Sequence, residues 1–397
     1  MVGEMPFLLP NSLMKTRDAA TILAFGKLSI LEACSLMEGS VERAEAPTER
    51  VAVFRTTGLD PGLLRSFAGA HKLAPVVVVL DSPSGDQGPL VDLMSLHLEE
   101  KSNFSLSAYG IGDDDYEELV KTMLDGLRSR GLRKVRLLRP KGNELLSERV
   151  LTRGALDVVA FPYHGGIALG PTVWVPDSAS MRESGTHRPV PRPEIALSPR
   201  LARTLLNLSG LKPGQTVLDP FCGSGTILVE ALKRSLRCLG LDSRASRVLE
   251  ARENLRWAIG GVTDRGFDIR KGDARELPRI LRGTKVDAIV TEPLLLPSLT
   301  ARPKTSTAEV LIRESAEVYN DALASMADSI QPHGRIVVVV PVIETMDGDE
   351  VTLTLDGRRL GLRSYQPGPV GFEYPVRLSF ESTRWVKRAV YVFEPPD

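Results

Sequence analysis

The second half of the chain alternates short apolar runs with segments of helical periodicity. The apolar runs predict buried strands at Gln215–Asp219, Arg237–Asp242, Gly266–Ile269, Asp287–Thr291 and Arg335–Pro341. Helices are predicted between strands at Ile227–Lys233, Ser246–Ala258 and Ala308–Ile330. Continuous apolar strands that alternate with helices are typical of a parallel sheet covered on both faces. Two later runs, Arg359–Tyr365 and Ala389–Phe393, are expected to close this α/β sheet as an antiparallel edge pair.

The first half has a less regular pattern. Strands are predicted at Val51–Phe54, Val76–Leu80, Phe104–Tyr109, Lys134–Leu138 and Val158–Phe161. The amphipathic segment Asp115–Ser129 predicts a helix, which gives an α+β arrangement. A polar segment with three prolines, Asp177–Glu194, predicts a linker, and we place the main boundary near residue 190. We therefore expect an α+β region over 1–95, a second module with the linker over 96–190, and the α/β domain over 191–397.

Composition narrows the class of protein. The 397 residues carry 50 Lys and Arg and 50 Asp and Glu side chains, which excludes a uniformly basic binder but not a local basic patch. Three cysteines without a Cys-x-x-Cys pair and five scattered histidines argue against a disulfide framework or a zinc site. The longest apolar runs are far shorter than the roughly 18 residues of a membrane span, and the N-terminus lacks a signal-peptide pattern. We expect a cytoplasmic protein without a metal.

A glycine-rich loop joins the first predicted strand of the α/β domain to its helix. It reads Asp219-Pro-Phe-Cys-Gly-Ser-Gly-Thr226. Its glycines let the backbone approach a ligand closely, and the helix N-terminus offers free N–H groups to an anionic end. The spacing differs from the G-x-G-x-x-G of dinucleotide folds, and an acid stands at the strand end. That acid suits a ligand with a cationic centre, such as the ammonium and sulfonium of S-adenosylmethionine.

Two further acids follow the next two strands. Asp242 ends the second strand, where an acid in nucleotide-binding α/β folds accepts from ribose hydroxyls. Asp273 follows the third strand, where it can accept from an adenine amine. Each acid alone is also explained as a helix N-cap or a solvated turn residue. Acids at three successive strand ends favour a cofactor site, because the carboxyl edge of a parallel sheet is where ligands bind.

The loop resembles that of class I methyltransferases acting on exocyclic amines of nucleic-acid bases. Ala196–Leu208 upstream is similar to the helix before that loop in the THUMP-containing tRNA guanosine N2-methyltransferases. The resemblance is close over 190–295 and weaker over 100–190, where Gly170–Asp177 and Arg182 are similar to the junction. It implies a Rossmann-like domain with a seven-stranded, mostly parallel sheet behind a THUMP-like RNA-binding region, and S-adenosylmethionine as cofactor. The implied cofactor residues are Asp219, Phe221, Gly223, Gly225, Thr226, Asp242 and Asp273.

The acceptor motif departs from the family pattern. Where the family has Asp-Pro-Pro-Tyr or Asn-Pro-Pro-Tyr after the fourth strand, this chain has Glu292, Pro293, Leu294 and Leu295. Glu292 can still accept from an amine, and with the backbone at Pro293 it is the predicted catalytic group. Leu295 offers no aromatic face for base stacking, which is worth roughly 1–3 kcal/mol. Two alternatives stay open: a turn in a protein that has lost catalysis, or methyl transfer to a different acceptor atom or base.

A basic segment lies in the THUMP-like part. Residues 128–153 hold nine Lys and Arg side chains and two Glu, a balance of +7. Such a run is either a solvated face or a phosphate-binding surface. The predicted RNA contacts in this segment are Arg128, Arg130, Arg133, Lys134 and Arg136. A sixth predicted contact, Arg200, belongs to a second basic cluster, whose other members are Arg182, Arg188, Arg192 and Arg203.

The sequence is compatible with three functions. The leading hypothesis is a tRNA guanosine N2-methyltransferase, or a relative that modifies another tRNA amine during tRNA processing. The second is a DNA amine methyltransferase, although no region resembles a DNA target-recognition domain. The third is a non-catalytic RNA-binding protein that keeps the cofactor fold. The three cofactor-site acids favour the first two, and the residues at 294 and 295 favour the third.

Overall fold

A computed structural model gives the fold and divides the chain into two compact units. It describes residues 20–23, 26–38, 41–48, 50–56, 66–70, 72–99, 101–140, 155–176, 187–191, 197–261, 263–293, 296–297, 299–368, 371–378 and 385–396. The first unit comprises Met1–Ala179 with Gly368–Val370, and the second comprises Ser180–Pro367 with Gly371–Asp397. The predicted three-part assignment of 1–95, 96–190 and 191–397 stays a prediction.

The first unit begins with an antiparallel sheet in the strand order β2-β3-β1-β4. Its elements are β1 (Ala20–Leu23), α1 (Lys27–Leu36), β2 (Val41–Thr48), β3 (Val51–Thr56) and β4 (Lys72–Pro75). Leu28 and Leu31 of α1 are fully buried, as are Val51 and Ala52 of β3. Of the strand predicted at Val76–Leu80, the structure has only Val78–Leu80 as a strand, and it belongs to the other sheet of this unit.

A second sheet of this unit has the strand order β5-β9-β8-β6-β7. Its elements are β5 (Val78–Leu80), α2 (Gly88–Ser95), β6 (Asn103–Ala108), α3 (Asp113–Ser129), β7 (Arg136–Leu137), β8 (Leu156–Tyr163) and β9 (Gly166–Pro171). Apolar side chains of both helices, such as Met94 and Met123, share one core with Phe104 and Leu106 of β6. The predicted α+β arrangement is confirmed, and its THUMP-like role stays a prediction.

A buried ion pair connects the two sheets of the first unit. Lys72 of β4 and Asp157 of β8 have fully inaccessible side chains and an Nζ–Oδ2 distance of 2.7 Å. Ser105, Ser107 and Thr172 donate hydroxyl hydrogen bonds of 2.5–2.8 Å to the same carboxylate. The carboxylate is therefore saturated by four side chains from three segments of the chain, as a buried charge requires.

The second unit is the α/β domain. Its elements are α4 (Pro199–Leu208), β10 (Thr216–Asp219), α5 (Thr226–Lys233), β11 (Arg237–Asp242), α6 (Ala245–Ala258), β12 (Phe267–Lys271), α7 (Leu277–Ile280), β13 (Val286–Thr291), α8 (Thr305–Ser329), β14 (Ile330–Glu344), β15 (Glu350–Thr352), β16 (Arg363–Ser364), β17 (Val376–Arg377) and β18 (Val386–Glu394). The main path of the sheet is β12-β11-β10-β13-β14-β18-β16, with the short strands β15 and β17 alongside.

The pairing directions follow the apolar pattern. β10 to β14 pair in parallel, and most of their residues are buried. β18 pairs antiparallel with β14 and β16, so the predicted antiparallel closure of a mostly parallel sheet is confirmed. Helix α8 packs Leu323 and Met326 against Ile289 and Ile336 of the central strands. This core holds the central strands in place, and with them the edge of the sheet at which their carboxyl ends meet.

Candidate functional site

A cavity of about 540 Å³ lies at the carboxyl edge of the sheet in the second unit. The chain runs from β10 to β11 and β12 on one side, and then to β13 and β14 on the other. Such a reversal of strand order leaves a crevice between the loops of the central strands. The structure places in its wall the predicted residues Asp219, Phe221, Gly223, Thr226, Asp242, Asp273 and Glu292.

Gly225 supports the loop from behind rather than lining the cavity. It is the N-cap of α5 and has a φ of 84°, which favours glycine. A Cβ built there would lie 2.6 Å from Leu255 Cδ1 on α6. The loop therefore needs glycine at this position both for its backbone conformation and for close packing on the neighbouring helix.

Asp219 is buried at the centre of the cavity wall. Its Oδ1 accepts hydrogen bonds from the Phe221 amide at 3.1 Å and the Thr291 hydroxyl at 2.7 Å. Burial raises the pKa of Asp219 to about 7, and the nearby carboxylates of Asp242 and Glu292 act in the same direction. A cation in the cavity would favour the ionised form.

Asp242 shapes the loop that it faces. Its Oδ2 accepts from the Gly223 amide at 3.2 Å, and its Oδ1 accepts from the Arg244 amide at 2.9 Å. These bonds are those of a turn residue, yet the side chain also lines the cavity. Asp242 therefore combines the local structural role and the predicted position for ribose recognition.

Asp273 likewise has a local role. Its Oδ1 accepts from the Arg275 amide at 2.9 Å and caps the short 3-10 helix that follows. The Arg275 guanidinium binds the same carboxylate and lowers the pKa of Asp273. The cap interpretation is therefore correct, and the side chain is an ionised acceptor in the cavity wall.

Two residues that support the glycine-rich loop were not predicted from the sequence to do so. Asn254, fully buried on α6, donates to the Ser224 carbonyl at 2.9 Å and bonds both backbone groups of Val190. Arg188 donates to the Thr226 hydroxyl at 2.6 Å from a nearly buried position. Nothing in the local pattern distinguishes Asn254 from a solvated helix residue, because its partners come from two distant segments.

Glu292 follows β13 at the side of the cavity next to Asp219. Its side chain is 11% exposed and pairs with the Nε of Arg388 on β18, whose side chain is 8% exposed. Burial raises the pKa of Glu292, while the Arg388 charge and hydrogen bond oppose that shift. The sequence interpretation missed Arg388, which lies 96 residues further along the chain.

The backbone after Glu292 is also held. The Pro293 carbonyl accepts a 2.5 Å hydrogen bond from the hydroxyl of Tyr319 on α8. Pro293, Tyr319, Glu292 and Arg388 line a small neighbouring cavity of about 30 Å³. Leu294 and Leu295, the divergent positions of the motif, lie outside the described residues.

In the first unit, several cations of the basic segment are ion-paired. Arg128 pairs with Asp125, Arg130 with Asp92 and Arg139 with Glu117. Arg133, Lys134 and Arg136 are exposed, whereas Lys141, Arg149 and Arg153 lie outside the described residues. The acids on α2 and α3 thus reduce the local charge of +7 expected from the segment alone.

Two of the three described members of the second basic cluster are held by contacts within the domain. Arg188 is buried against Thr226, and Arg203 pairs at 2.5 Å with the buried Glu230. These two cations are structural because burial and a charged partner occupy their guanidinium groups. Arg200, on the first turn of α4, is half-buried, and Arg182 and Arg192 lie outside the described residues.

The described residues contain no group of three or more His, Cys, Asp or Glu side chains arranged to hold a metal ion. Across the same residues, no helix is long and apolar enough to cross a membrane.

The cavity fits S-adenosylmethionine. Buried Asp219 suits a cationic group, Asp242 and Asp273 are acceptors at two further strand ends, and the glycine loop opens the wall between them. The free amides at the start of α5 suit a carboxylate. The described donor and acceptor set thus supports the cofactor implied by the resemblance.

Comparisons with known proteins show that the segment forming this cavity is similar to a methyltransferase domain. Residues 188–347 match the family model described as RMKL-like, methyltransferase domain (UPF0020). A tRNA (guanine(10)-N2)-dimethyltransferase of Methanothermobacter thermautotrophicus is 38% identical over 157 residues, 39% of this chain and 42% of that protein. The protein of the same name from Pyrococcus abyssi is 33% identical over 179 residues, 45% of this chain and 48% of the relative. The matched segments thus span under half of these relatives.

The crystal structure of TrmN from Thermus thermophilus resembles the fold with a TM-score of 0.51. It is 20% identical in sequence, and the superposition covers 95% of this chain and 99% of that one. The likeness supports the predicted Rossmann-like class I methyltransferase fold. S-adenosylmethionine as the cofactor agrees with the methyltransferase domain matched over residues 188–347.

Proposed function

We propose that this chain, whose residues 188–347 form a methyltransferase domain of the RMKL-like family, methylates the exocyclic N2 amine of a guanosine in tRNA. The observation that carries the proposal is the adjacency of a cofactor acid and an acceptor acid. Thr291 donates to Asp219 at 2.7 Å, and the next residue, Glu292, lines the same cavity. The relatives named as tRNA guanine-N2 dimethyltransferases support guanosine as the base.

The acceptor chemistry explains the need for a carboxylate. The lone pair of an exocyclic amine is delocalised into the base, so the nitrogen is a weak nucleophile. A fixed acceptor that binds an N–H of the amine orients the nitrogen and stabilises the positive charge that develops on it. We assign that role to Glu292, with the backbone at Pro293 as the second candidate acceptor. When bound, S-adenosylmethionine supplies an electrophilic methyl group on its sulfonium.

A surface for the RNA is proposed on the first unit. The exposed cations Arg133, Lys134 and Arg136 would bind phosphates without reading base identity. Arg128 and Arg130 are secondary candidates because they already pair with acids. Arg200 is a secondary candidate because it is half-buried. Transfer to a base also requires the target nucleotide to leave its stack. A tRNA substrate agrees with the cytoplasmic location expected from the sequence.

The direct test is methyl transfer to unmodified total tRNA from isotopically labelled S-adenosylmethionine, followed by nucleoside mass spectrometry. We expect labelled N2-methylated guanosine with wild-type protein and none with Asp219→Ala. A product on another base would replace guanosine as the substrate. Transfer to DNA alone would favour the DNA methyltransferase. Binding of cofactor and tRNA without transfer would favour the non-catalytic alternative.

A further inference from the structure

Arg388 is the only described cation that contacts the proposed acceptor carboxylate. It lies in the middle of β18, opposite Pro341 of β14, and reaches the loop that follows β13. Its Nε hydrogen bonds to Oε1 of Glu292. The other oxygen, Oε2, makes no hydrogen bond to any of the described residues. Among the described residues, the pair therefore fixes one carboxylate oxygen and leaves the other open to a ligand.

The surroundings of Glu292 make this cation necessary. Asp219 on β10 and the Tyr319 hydroxyl on α8 both interact electrostatically with the Glu292 carboxylate. Neither group supplies positive charge. Lys387, next to Arg388 on β18, pairs instead with Glu344 and Glu350. Without Arg388, burial would favour neutral Glu292 with no opposing charge from the described residues.

We propose that Arg388 is a positioning residue for methyl transfer, which keeps Glu292 ionised and aims Oε2 at the acceptor amine. A neutral carboxyl presents a hydroxyl in place of one acceptor oxygen, so its ability to orient an N–H group falls. Tyr319 supports the same arrangement, because its bond to the Pro293 carbonyl holds the backbone that carries Glu292. This inference rests on the proposed function and adds to it the residue that sets the charge of the acceptor site.

The test compares Arg388→Met and Arg388→Lys with wild type. The turnover number is measured as a function of pH at saturating S-adenosylmethionine and tRNA, and cofactor affinity is measured by calorimetry. Arg363→Met is the matched control, since Arg363 pairs with Glu394 at the end of the same strand β18. The ionisation of Glu292 is followed independently by NMR of ¹³C-carboxyl glutamate, with the resonance assigned from Glu292→Gln.

For Arg388→Met we expect turnover to fall about 10–100-fold, the usual effect of removing a group that orients a functional side chain. We also expect the acidic limb of its pH profile and the NMR titration of Glu292 to move to higher pH, with cofactor affinity unchanged. Arg388→Lys keeps the charge but not the geometry of Nε, so it should leave the acidic limb in place and lose less turnover. Arg363→Met should match wild type in every measurement.

Several results would overturn the inference. One is an Arg388→Met protein with wild-type turnover and pH profile; another is reduced stability with no change in either property. If Arg388→Met does not fold, an Arg388→Lys protein indistinguishable from wild type in turnover decides against the inference. Failure of the proposed function looks different: the wild type then transfers no methyl group to RNA, while the NMR titration still reports whether Arg388 controls Glu292.

Discussion

Each unit of the chain contains an ion pair in its interior, and the two pairs differ in how completely they are satisfied. In the first unit, Asp157 binds Lys72 and three hydroxyl groups, and neither charged side chain is exposed. In the second unit, Glu292 binds Arg388 through one oxygen and lines a cavity. We call Lys72–Asp157 the closed pair, because its carboxylate is saturated, and Arg388–Glu292 the open pair, because one carboxylate oxygen has no partner among the described residues.

This difference indicates what each pair does. A closed network leaves no bonding capacity for a ligand, so Lys72 and Asp157 specify how two sheets pack. An open pair retains an acceptor oxygen in a low-polarity site, where an added hydrogen bond is strong. Removing a partner should therefore cost folding free energy in the first unit and turnover in the second.

The largest expected effect on folding comes from Lys72→Met. Removing one partner of a buried pair leaves the other charge without compensation, which typically costs about 3–5 kcal/mol. Urea unfolding followed by circular dichroism measures the change. Lys121→Met, an exposed position on α3, is the control and should change stability by less than about 0.5 kcal/mol. If both variants were equally stable, the closed pair would not contribute to the stability of the fold.

Asp242→Ala should affect cofactor binding without large loss of folding. Its carboxylate holds the Gly223 amide and offers acceptor oxygens to the cavity, and a charge-assisted hydrogen bond is worth about 1.5–3 kcal/mol. Calorimetry with S-adenosylmethionine measures the change. Asp242→Asn keeps one acceptor oxygen and should lose less affinity. Unchanged affinity in a folded Asp242→Ala protein would refute the assignment.

The pKa of Asp219 predicts a pH dependence of cofactor binding. Because the folded pKa of about 7 lies above the ordinary value of 3.8, the folded protein binds more protons than the unfolded chain between these values. This group therefore lowers stability as pH rises through that window. A cationic ligand prefers ionised Asp219, so affinity should be about tenfold weaker at pH 6 than at pH 8. Asp219→Asn should abolish this dependence; a wild-type affinity independent of pH would contradict it.

The smallest expected effect is on tRNA binding by the basic segment. It tests whether ion pairing with acids also determines which surface cations can bind phosphates. Lys134→Ala with Arg136→Ala should weaken tRNA binding and reduce its salt dependence. The log–log slope changes by about 0.7–0.9 for each phosphate that the variant no longer binds. Arg128→Ala with Arg139→Ala removes two cations that already bind acids and should change the slope less. Equal slopes for wild type and the first variant would identify the segment as a solvated face.

Sequence periodicity was sufficient for the order of the α/β elements and for the acids at three strand ends. Asp219, Asp242 and Asp273 could be found because parallel strands bring residues of equivalent position to one edge. Arg388 could not, because it comes from the middle of an antiparallel strand whose pairing register no local pattern defines. The acids paired with Arg130 and Arg139 were missed for a similar reason, since Asp92 and Glu117 lie outside the basic segment.

The most direct test of the open pair as acceptor site is single-turnover methyl transfer to tRNA by Glu292→Gln beside wild type. Glutamine keeps the size of the side chain and removes the charge. We predict that the transfer rate falls about 10²–10³-fold, the typical cost of losing one well-placed group that stabilises developing charge. Cofactor and tRNA affinities should stay at wild-type values. A Glu292→Gln protein that transfers methyl groups at the wild-type rate would show that the Glu292 carboxylate does not hold the acceptor amine.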